Sequence, residues 1–477
     1  MSDFFDRIKI SKFPKIVLFV FFSIATLAFL TVKDYIFVIL TLIFVYLLSF
    51  KFNIPKFIYF LIAFSLLTKL GVILIFNPPI ESDFKTMFDA AKMLSEGNLD
   101  YTNWDYIIRW GYQVGHIFYQ SIILKLFDSV FILKLINCIS LTGTTVLIYL
   151  IIKELLNEKT ARFCSLLYCF YLMPVLLTTV LTNQHIPTFL YFLAFYILIS
   201  NRFKDLNTIV KCIIIGILIG VGNILRPEGI VFILTIIFYL IFICYKFESF
   251  RSIFKKILLI VFSYLIIVKG TSLAFQITGI SKSGLDNKDP LWKFVLGTNF
   301  ESSGQYSLED DITYLDYPKK ELDVIKERTL ENPKQFAHLL LIKSRLFWLS
   351  NDLYWSNNYL YKENLTIFSH EFNGTRVNEI MNLYNNQIYL FTFILMMIGL
   401  ASLMFNKFDS RLNLFVILLC GYYIVYLFIE IMNRYTYTPR VAIFILAAYG
   451  IDILYEKLVD SHDKNIKRKR KNAKRNS

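Results

Sequence analysis

The sequence predicts an all-α integral membrane protein with about twelve transmembrane helices, juxtamembrane helices and a small extracytoplasmic segment. First, 56% of the 477 residues are hydrophobic, more than the roughly 45–50% that is usual in soluble domains. Second, Ile, Leu and Phe fill apolar runs of about 20 residues, the length that crosses a bilayer. Third, Lys and Arg cluster between these runs, so the net charge of +14 indicates membrane topology rather than nucleic-acid binding.

Each apolar run is expected to form one retained span. The first run is longer than the apolar part of a secretory signal and has no clear cleavage site after it. The runs lie near residues 16–32, 35–50, 57–76, 129–152, 161–180, 186–200, 212–225, 230–245, 257–276, 388–405, 411–430 and 439–455.

The charges between the runs predict that both termini are cytoplasmic, because almost every connection on that side then carries two or more cations. The polybasic tail would also attract anionic lipids by roughly 1 kcal/mol per charge. The predicted organisation comprises an N terminus with two extra spans (1–56), a transmembrane core (57–276) with a first outer loop (77–128), an extracytoplasmic subdomain (277–387), C-terminal spans (388–455) and a basic cytoplasmic tail (456–477).

The two large outer segments are expected to contain helices. The amphipathic stretch Gly111–Phe127 is too polar for a span and predicts a juxtamembrane helix. Residues 333–349 carry apolar residues at helical spacing, which predicts a further helix in a subdomain lying against the membrane. The six cysteines lie inside apolar runs without a metal-binding spacing, so they are interpreted as core or lipid-facing residues.

Asp83 is the candidate general base. It follows directly on the third apolar run, at its predicted outer end, where a carboxylate can take a proton from an acceptor hydroxyl. Position alone favours another interpretation, in which Ser82 or Asp83 caps the helix predicted from Phe84 onward.

Several cations are predicted at the outer ends of spans. Arg226 precedes Pro227 at a helix break. There its side chain either binds a phosphate or extends to the membrane interface. Arg434 and Arg440 break the positive-inside pattern, and an anionic lipid headgroup would explain them. Lys69, inside the third run, and Glu430, at an outer end, either pair or line one cavity.

These features together resemble the GT-C glycosyltransferases that use polyprenyl-phosphate-linked sugars, a group that includes protein O-mannosyltransferases and lipid A aminoarabinose transferases. The resemblance rests on Asp83 in the first outer loop, the segment Ala90–Gly97, Arg226-Pro227 and Arg434-Tyr435 followed by Pro439. It covers most of the chain from about residue 57 onward.

The resemblance assigns roles to individual residues. It implies Asp83 as the catalytic acid of the family and Arg109, Arg226, Arg434 and Tyr435 as contacts of the donor phosphate. A divalent metal ion is the one candidate cofactor. Its candidate ligands are His185 and Glu81. The alternatives for His185 are a hydrogen bond to a phosphate or no part in the site. Many members have two adjacent acidic residues where this chain has Asp83-Phe84, and the usual Pro-Pro does not follow Arg109.

The resemblance implies an inverting membrane glycosyltransferase whose donor is a polyprenyl-phosphate-linked sugar. The acceptor hydroxyl would belong to a glycan, lipid or protein on the extracytoplasmic face of the cell membrane, and cell-envelope modification would be the setting. The partners are this donor, the acceptor and membrane lipids, without nucleic acid. A lipid-linked glycan polymerase or ligase and a secondary transporter are the alternatives; transporters usually place polar groups at the midplane of both halves.

Overall fold

The computed structural model describes residues 36–315, 317–349, 353, 358–360, 362–367 and 369–473, with side chains as far as Glu456. The chain is almost wholly helical. Its α-helices are Ile36–Tyr46, Phe57–Ile75, Ser82–Ser95, Asp105–Arg109, Val114–Phe127, Val130–Leu155, Glu158–Cys169, Leu172–Leu176, His185–Ile199, Thr208–Leu225, Gly229–Phe242, Phe250–Ile277, Trp292–Thr298, Leu308–Tyr314, Pro318–Lys326, Pro333–Leu349, Gly374–Phe405, Asn413–Phe428 and Tyr437–Ala473.

Short helical turns and one small hairpin complete the described structure. The 3-10 turns are Asp100–Asn103, Gly111–Gln113, Leu177–Thr179, Asn201–Phe203, Cys244–Lys246, Ser410–Leu412 and Asn433–Thr436, and the π-helical turns are Leu47–Lys51 and Glu327–Glu331. The strands Leu365–Ile367 and His370–Phe372 pair in antiparallel fashion.

Eight helices of the described residues are long and apolar enough to cross a membrane. The pair Glu158–Cys169 and Leu172–Thr179, bent by 52°, forms a ninth if it is one span. Two shorter apolar helices, Ile36–Lys51 and His185–Ile199, accompany them. The all-α, multi-span architecture is therefore confirmed, whereas a total of about twelve spans stays a prediction.

The predicted runs and the observed helices correspond closely. Every run from residue 35 onward coincides with one of these helices, and the run 16–32 lies outside the described residues. The main difference is that the run 388–405 is only the C-terminal part of Gly374–Phe405. Its N-terminal part continues the helix through polar residues, two of which, Asn378 and Asn385, are buried in the bundle.

Small residues bring the long helices into close contact. A Cβ atom on Gly450 would stand 2.0 Å from the carbonyl oxygen of Leu395, and one on Gly399 would stand 2.5 Å from that of Leu446. Such approach is typical of membrane bundles, where packing rather than the hydrophobic effect drives association between helices. Phe250–Ile277 turns Phe254 and Phe262 outward, at 57% and 60% exposure, as expected for a lipid-facing helix.

Polar contacts join the predicted cytoplasmic loops to one another, and other polar contacts join the predicted outer loops. Among the predicted cytoplasmic loops, Arg411 lies 3.4 Å from Glu154, and Asn157 bonds Asp452. The predicted outer loops meet one another around Tyr435. The juxtamembrane helix predicted at Gly111–Phe127 and the helix predicted at Pro333–Leu349 are both present. All six cysteines are free and at least half-buried, in agreement with their predicted packing role.

Candidate active site

Tyr435 lies at the centre of a group of three cations. It sits on the Asn433–Thr436 turn, which joins the last two long helices. The guanidinium carbons of Arg226 and Arg434 lie 5.4 and 5.7 Å from the centre of its ring, and the amine of Lys293 lies 5.8 Å away. These distances are within the range of cation–π contact. Three separate chain segments thus bring positive charge to one position.

Each of these cations has a carboxylate partner. Arg226 pairs with Glu228, and Lys293 pairs with Glu430. The carboxylates of Glu228 and Glu430 are only 8% and 3% exposed. Arg434 pairs with Asp83 at 3.5 Å, and the Asp83 side chain is 43% exposed. The Asp83 pair is therefore the longest and the most open to solvent of the three.

Arg226 is fixed by the break that follows the Thr208–Leu225 helix. Its side chain donates to Asn183 Oδ1 at 2.9 Å, and its carbonyl accepts from the Tyr191 hydroxyl at 2.7 Å. Burial opposes its charge, but the adjacent Glu228 carboxylate outweighs burial, so the pKa of Arg226 is raised. At 12% exposure the side chain is enclosed, which does not fit the alternative of an arginine extending to the interface.

Asp83 lies in the first turn of Ser82–Ser95, whereas Glu81 occupies the N-cap position and makes no side-chain capping bond. The Asp83 carboxylate instead accepts a hydrogen bond from Arg434, whose guanidinium also lies 5.2 Å from the centre of the Phe84 ring. Burial and the neighbouring Asp83 raise the pKa of the Tyr106 phenol. The contacts of Asp83 thus favour a place in the site over a capping role.

Lys293 is the site residue that the sequence analysis missed. It lies on the Trp292–Thr298 helix of the predicted outer subdomain, far in sequence from its contacts. Burial lowers its pKa, but Tyr435 and Glu430 outweigh burial and raise it. The available signal was a lysine next to a tryptophan within an outer segment. Glu430 pairs with Lys293 and not with Lys69, which bonds the Ser65 carbonyl at 3.2 Å within its own helix.

Lys343 holds the segment that carries Glu430 and Tyr435. Its amine donates to the carbonyl oxygens of Gly297, Leu427 and Ile429 at 2.7 to 2.8 Å. It thereby ties the end of the Asn413–Phe428 helix to the Lys293 helix. Burial lowers the pKa of this amine to about 7, whereas donation to all three carbonyl oxygens uses the three N–H groups of the protonated form.

Arg109 and Arg440 occupy different places from the three cations over Tyr435. The carbonyl of Arg109 accepts from the Lys288 N–H at 3.2 Å, next to a cavity that Ile108 and Lys288 help to line. Arg109 adjoins the site through Trp110, whose ring centre is 5.8 Å from the Lys293 amine. Arg440 is 1% exposed and lies 4.3 Å from the centre of the Tyr389 ring, inside the bundle.

The candidate metal ligands do not converge. His185 is buried, with Nδ1 2.6 Å from the Tyr437 hydroxyl, and Glu81 lies 3.8 Å from Lys362. Over the residues with described positions, no group of three or more His, Cys, Asp or Glu side chains could hold a metal ion. Because Asp83 faces the cation of Arg434, the described donor set does not fit a resident divalent ion, and the metal site stays a prediction.

Residues 114–270 match the family described as dolichyl-phosphate-mannose-protein mannosyltransferase. The chain is similar to this family over that segment, which is about a third of its length. The resemblance predicted from the residues is thus confirmed over this segment, and the description of the family names a lipid-phosphate-linked donor. The matched segment includes Arg226, whereas Asp83 and Arg434 lie on either side of it. No curated protein matches the chain at a significant level.

Solved structures of archaeal oligosaccharyltransferases are similar to the chain. The oligosaccharyltransferase AglB from Archaeoglobus fulgidus, in complex with an inhibitory peptide and a dolichol-phosphate, has 12% identity and a TM-score of 0.47 over 86% of this chain and 52% of its own. An Archaeoglobus fulgidus oligosaccharyltransferase tethered to an acceptor peptide has 13% identity and a TM-score of 0.48, over 85% of this chain and 50% of its own. The apo form has 12% identity and a TM-score of 0.46, over 86% and 52%. The chain spans about half the length of these proteins.

Proposed function

We propose that the chain transfers a sugar from a polyprenyl-phosphate donor to a hydroxyl of a glycan, lipid or protein acceptor on the extracytoplasmic face of the membrane. The observation that carries this proposal is the convergence of Arg226, Lys293 and Arg434 on Tyr435, beside the carboxylate of Asp83. Cations and a solvent-accessible carboxylate are the two kinds of group that such a reaction needs.

The cations would stabilise the leaving phosphate. When the bond from the anomeric carbon to the phosphate oxygen breaks, the electron pair stays on that oxygen and its negative charge grows. Fixed cations stabilise developing charge without reorganisation during the reaction. The planar guanidinium of an arginine can hold two phosphate oxygens at once, and Lys293 adds a compact charge from the outer subdomain.

Asp83 would deprotonate the acceptor hydroxyl. Its 43% exposure leaves the carboxylate within reach of a hydroxyl arriving from the aqueous side. In the proposed step Asp83 takes the hydroxyl proton while the acceptor oxygen bonds to the anomeric carbon from the face opposite the phosphate. The configuration of the sugar is therefore inverted. No nucleotide site is required, because the lipid phosphate is both carrier and leaving group.

The sidedness of the site can be tested by cysteine labelling. With about twelve spans and both termini cytoplasmic, cysteines introduced at Lys204 and Arg251 should react with an impermeant maleimide only from the cytoplasm. A cysteine at Ser303 should react only from outside. Unsubstituted protein is the background control, since its six cysteines are at least half-buried. Labelling of Ser303Cys only from the cytoplasmic side would contradict an extracytoplasmic site.

Binding of the donor lipid tests the cation cluster directly. Polyprenyl phosphate, the part common to donors with different sugars, should bind the purified protein. We expect the Arg226→Gln/Arg434→Gln double variant to bind at least about tenfold more weakly, because charge-assisted phosphate contacts contribute ~1.5–3 kcal/mol each. Binding is expressed per folded protein, because the double variant leaves the enclosed Glu228 without its cation. The matched control is Arg345→Gln/Arg376→Gln, which removes two exposed arginines.

Two outcomes of this measurement would count against the proposal. Equal binding by the double variant and the control would remove the phosphate site. Markedly tighter binding of polyprenyl diphosphate than of polyprenyl phosphate would favour a lipid-diphosphate polymerase or ligase. A transporter is less consistent with the candidate site, because the cations and carboxylates of this site gather around Tyr435 at one end of the bundle.

A further inference from the structure

The three cations of the candidate site are matched by three carboxylates. Arg226, Lys293 and Arg434 each pair with one of Glu228, Glu430 and Asp83. The side chains around Tyr435 therefore carry little net positive charge of their own. A lipid phosphate that enters this group gains most if one cation exchanges its carboxylate for a phosphate oxygen.

The three ion pairs differ in how easily the cation can exchange its carboxylate for a phosphate oxygen. Glu228 also accepts from the Tyr422 hydroxyl at 2.7 Å, and Glu430 accepts from the Tyr435 hydroxyl at 3.2 Å. Both carboxylates are nearly enclosed, so separating either from its cation would leave a buried charge unpaired, which is strongly unfavourable. Asp83 is 43% exposed, and water can hydrate it as soon as Arg434 moves away.

We propose that the donor phosphate displaces Asp83 from Arg434, so that the catalytic base becomes free only when the donor is in place. The inference rests on the proposed function and adds an order of events to it. In the structure Arg434 holds the Asp83 carboxylate at 3.5 Å. The arriving phosphate takes over the guanidinium, and the released carboxylate can then accept the proton of the acceptor hydroxyl. Arg434 thereby acts on both substrates.

This exchange has a thermodynamic consequence. If Asp83 and the phosphate compete for Arg434, the carboxylate weakens donor binding by the strength of its own pair. Removing the charge of the proposed catalytic base should then make the donor lipid bind more tightly. Simple repulsion between a nearby carboxylate and the phosphate would also be relieved by this change, but that relief would not depend on Arg434.

The experiment measures polyprenyl phosphate binding to the purified full-length protein in detergent. Asp83→Asn should bind the lipid roughly two- to fivefold more tightly than the unchanged protein, the range expected for a partly exposed ion pair. Asp83→Ser is the second variant in case the amide makes a new bond to Arg434. In an Arg434→Gln background, Asp83→Asn should leave the affinity unchanged, because the competing pair is already absent.

Asp89→Asn is the matched control. Asp89 lies on the same helix as Asp83, is 42% exposed and pairs with Lys85 at 2.8 Å, so its substitution removes the same charge without touching Arg434. Equal tightening by Asp89→Asn and Asp83→Asn, or no tightening by Asp83→Asn and Asp83→Ser, would overturn the exchange. The proposed function fails separately, if Arg226→Gln/Arg434→Gln binds polyprenyl phosphate as well as the unchanged protein does.

Discussion

Asp83→Asn should lower the rate of sugar transfer by about 10²–10⁴, the usual effect of losing a general base. The amide keeps the size of the side chain and its capacity to accept a hydrogen bond, but it cannot take up the proton of the acceptor hydroxyl. The measurement is single-turnover transfer from a polyprenyl-phosphate sugar by the purified protein, with saturating donor so that tighter donor binding does not obscure the loss of chemistry.

Folding and general charge effects are controlled with variants on the same helix. Because Asp83 is not at the N-cap position and is 43% exposed, Asp83→Asn should leave the yield of folded protein nearly unchanged. Asp89→Asn should turn over like the unchanged protein, and Asp83→Glu should retain more activity than Asp83→Asn because it keeps a carboxylate. Near-normal turnover by Asp83→Asn would leave the chain without an identified base.

The sequence predicted most of the architecture because each long helix is an apolar run of membrane-spanning length. The sidedness pattern likewise singled out Asp83, Arg226 and Arg434, which the structure brings to one place around Tyr435. Their proximity could be expected because connections on the same side of a bundle lie near one another. Their roles in catalysis stay predictions.

The partners of these residues could not be predicted in the same way. Lys293 reaches Glu430 across 137 positions, and nothing in hydropathy or charge pattern specifies that pairing. The enclosed position of His185 depends on its bond to Tyr437, 252 residues away. The position of the Asp83 carboxylate near Arg434 likewise follows from tertiary packing, although the sequence near Ser82 and Asp83 suggested a helix cap.

Arg434→Gln should lower the rate of transfer by about 10²–10³, the usual cost of removing one fixed group that stabilises developing negative charge. Arg434→Lys should recover part of the rate, because the ammonium keeps the charge but cannot hold two phosphate oxygens as a guanidinium does. The measurement is the same single-turnover assay, repeated at raised donor concentration to separate weaker binding from slower chemistry.

Arg434 is the most suitable cation for this test because the carboxylate with which it pairs, that of Asp83, is exposed. The free energy of unfolding should therefore change little. Arg226→Gln would instead leave the enclosed Glu228 without its cation, a change that typically costs about 3–5 kcal/mol and would mix instability with lost activity. Arg376→Gln removes an exposed arginine elsewhere and should keep full activity. If Arg434→Gln matched Arg376→Gln in turnover, Arg434 would have no part in stabilising the leaving phosphate.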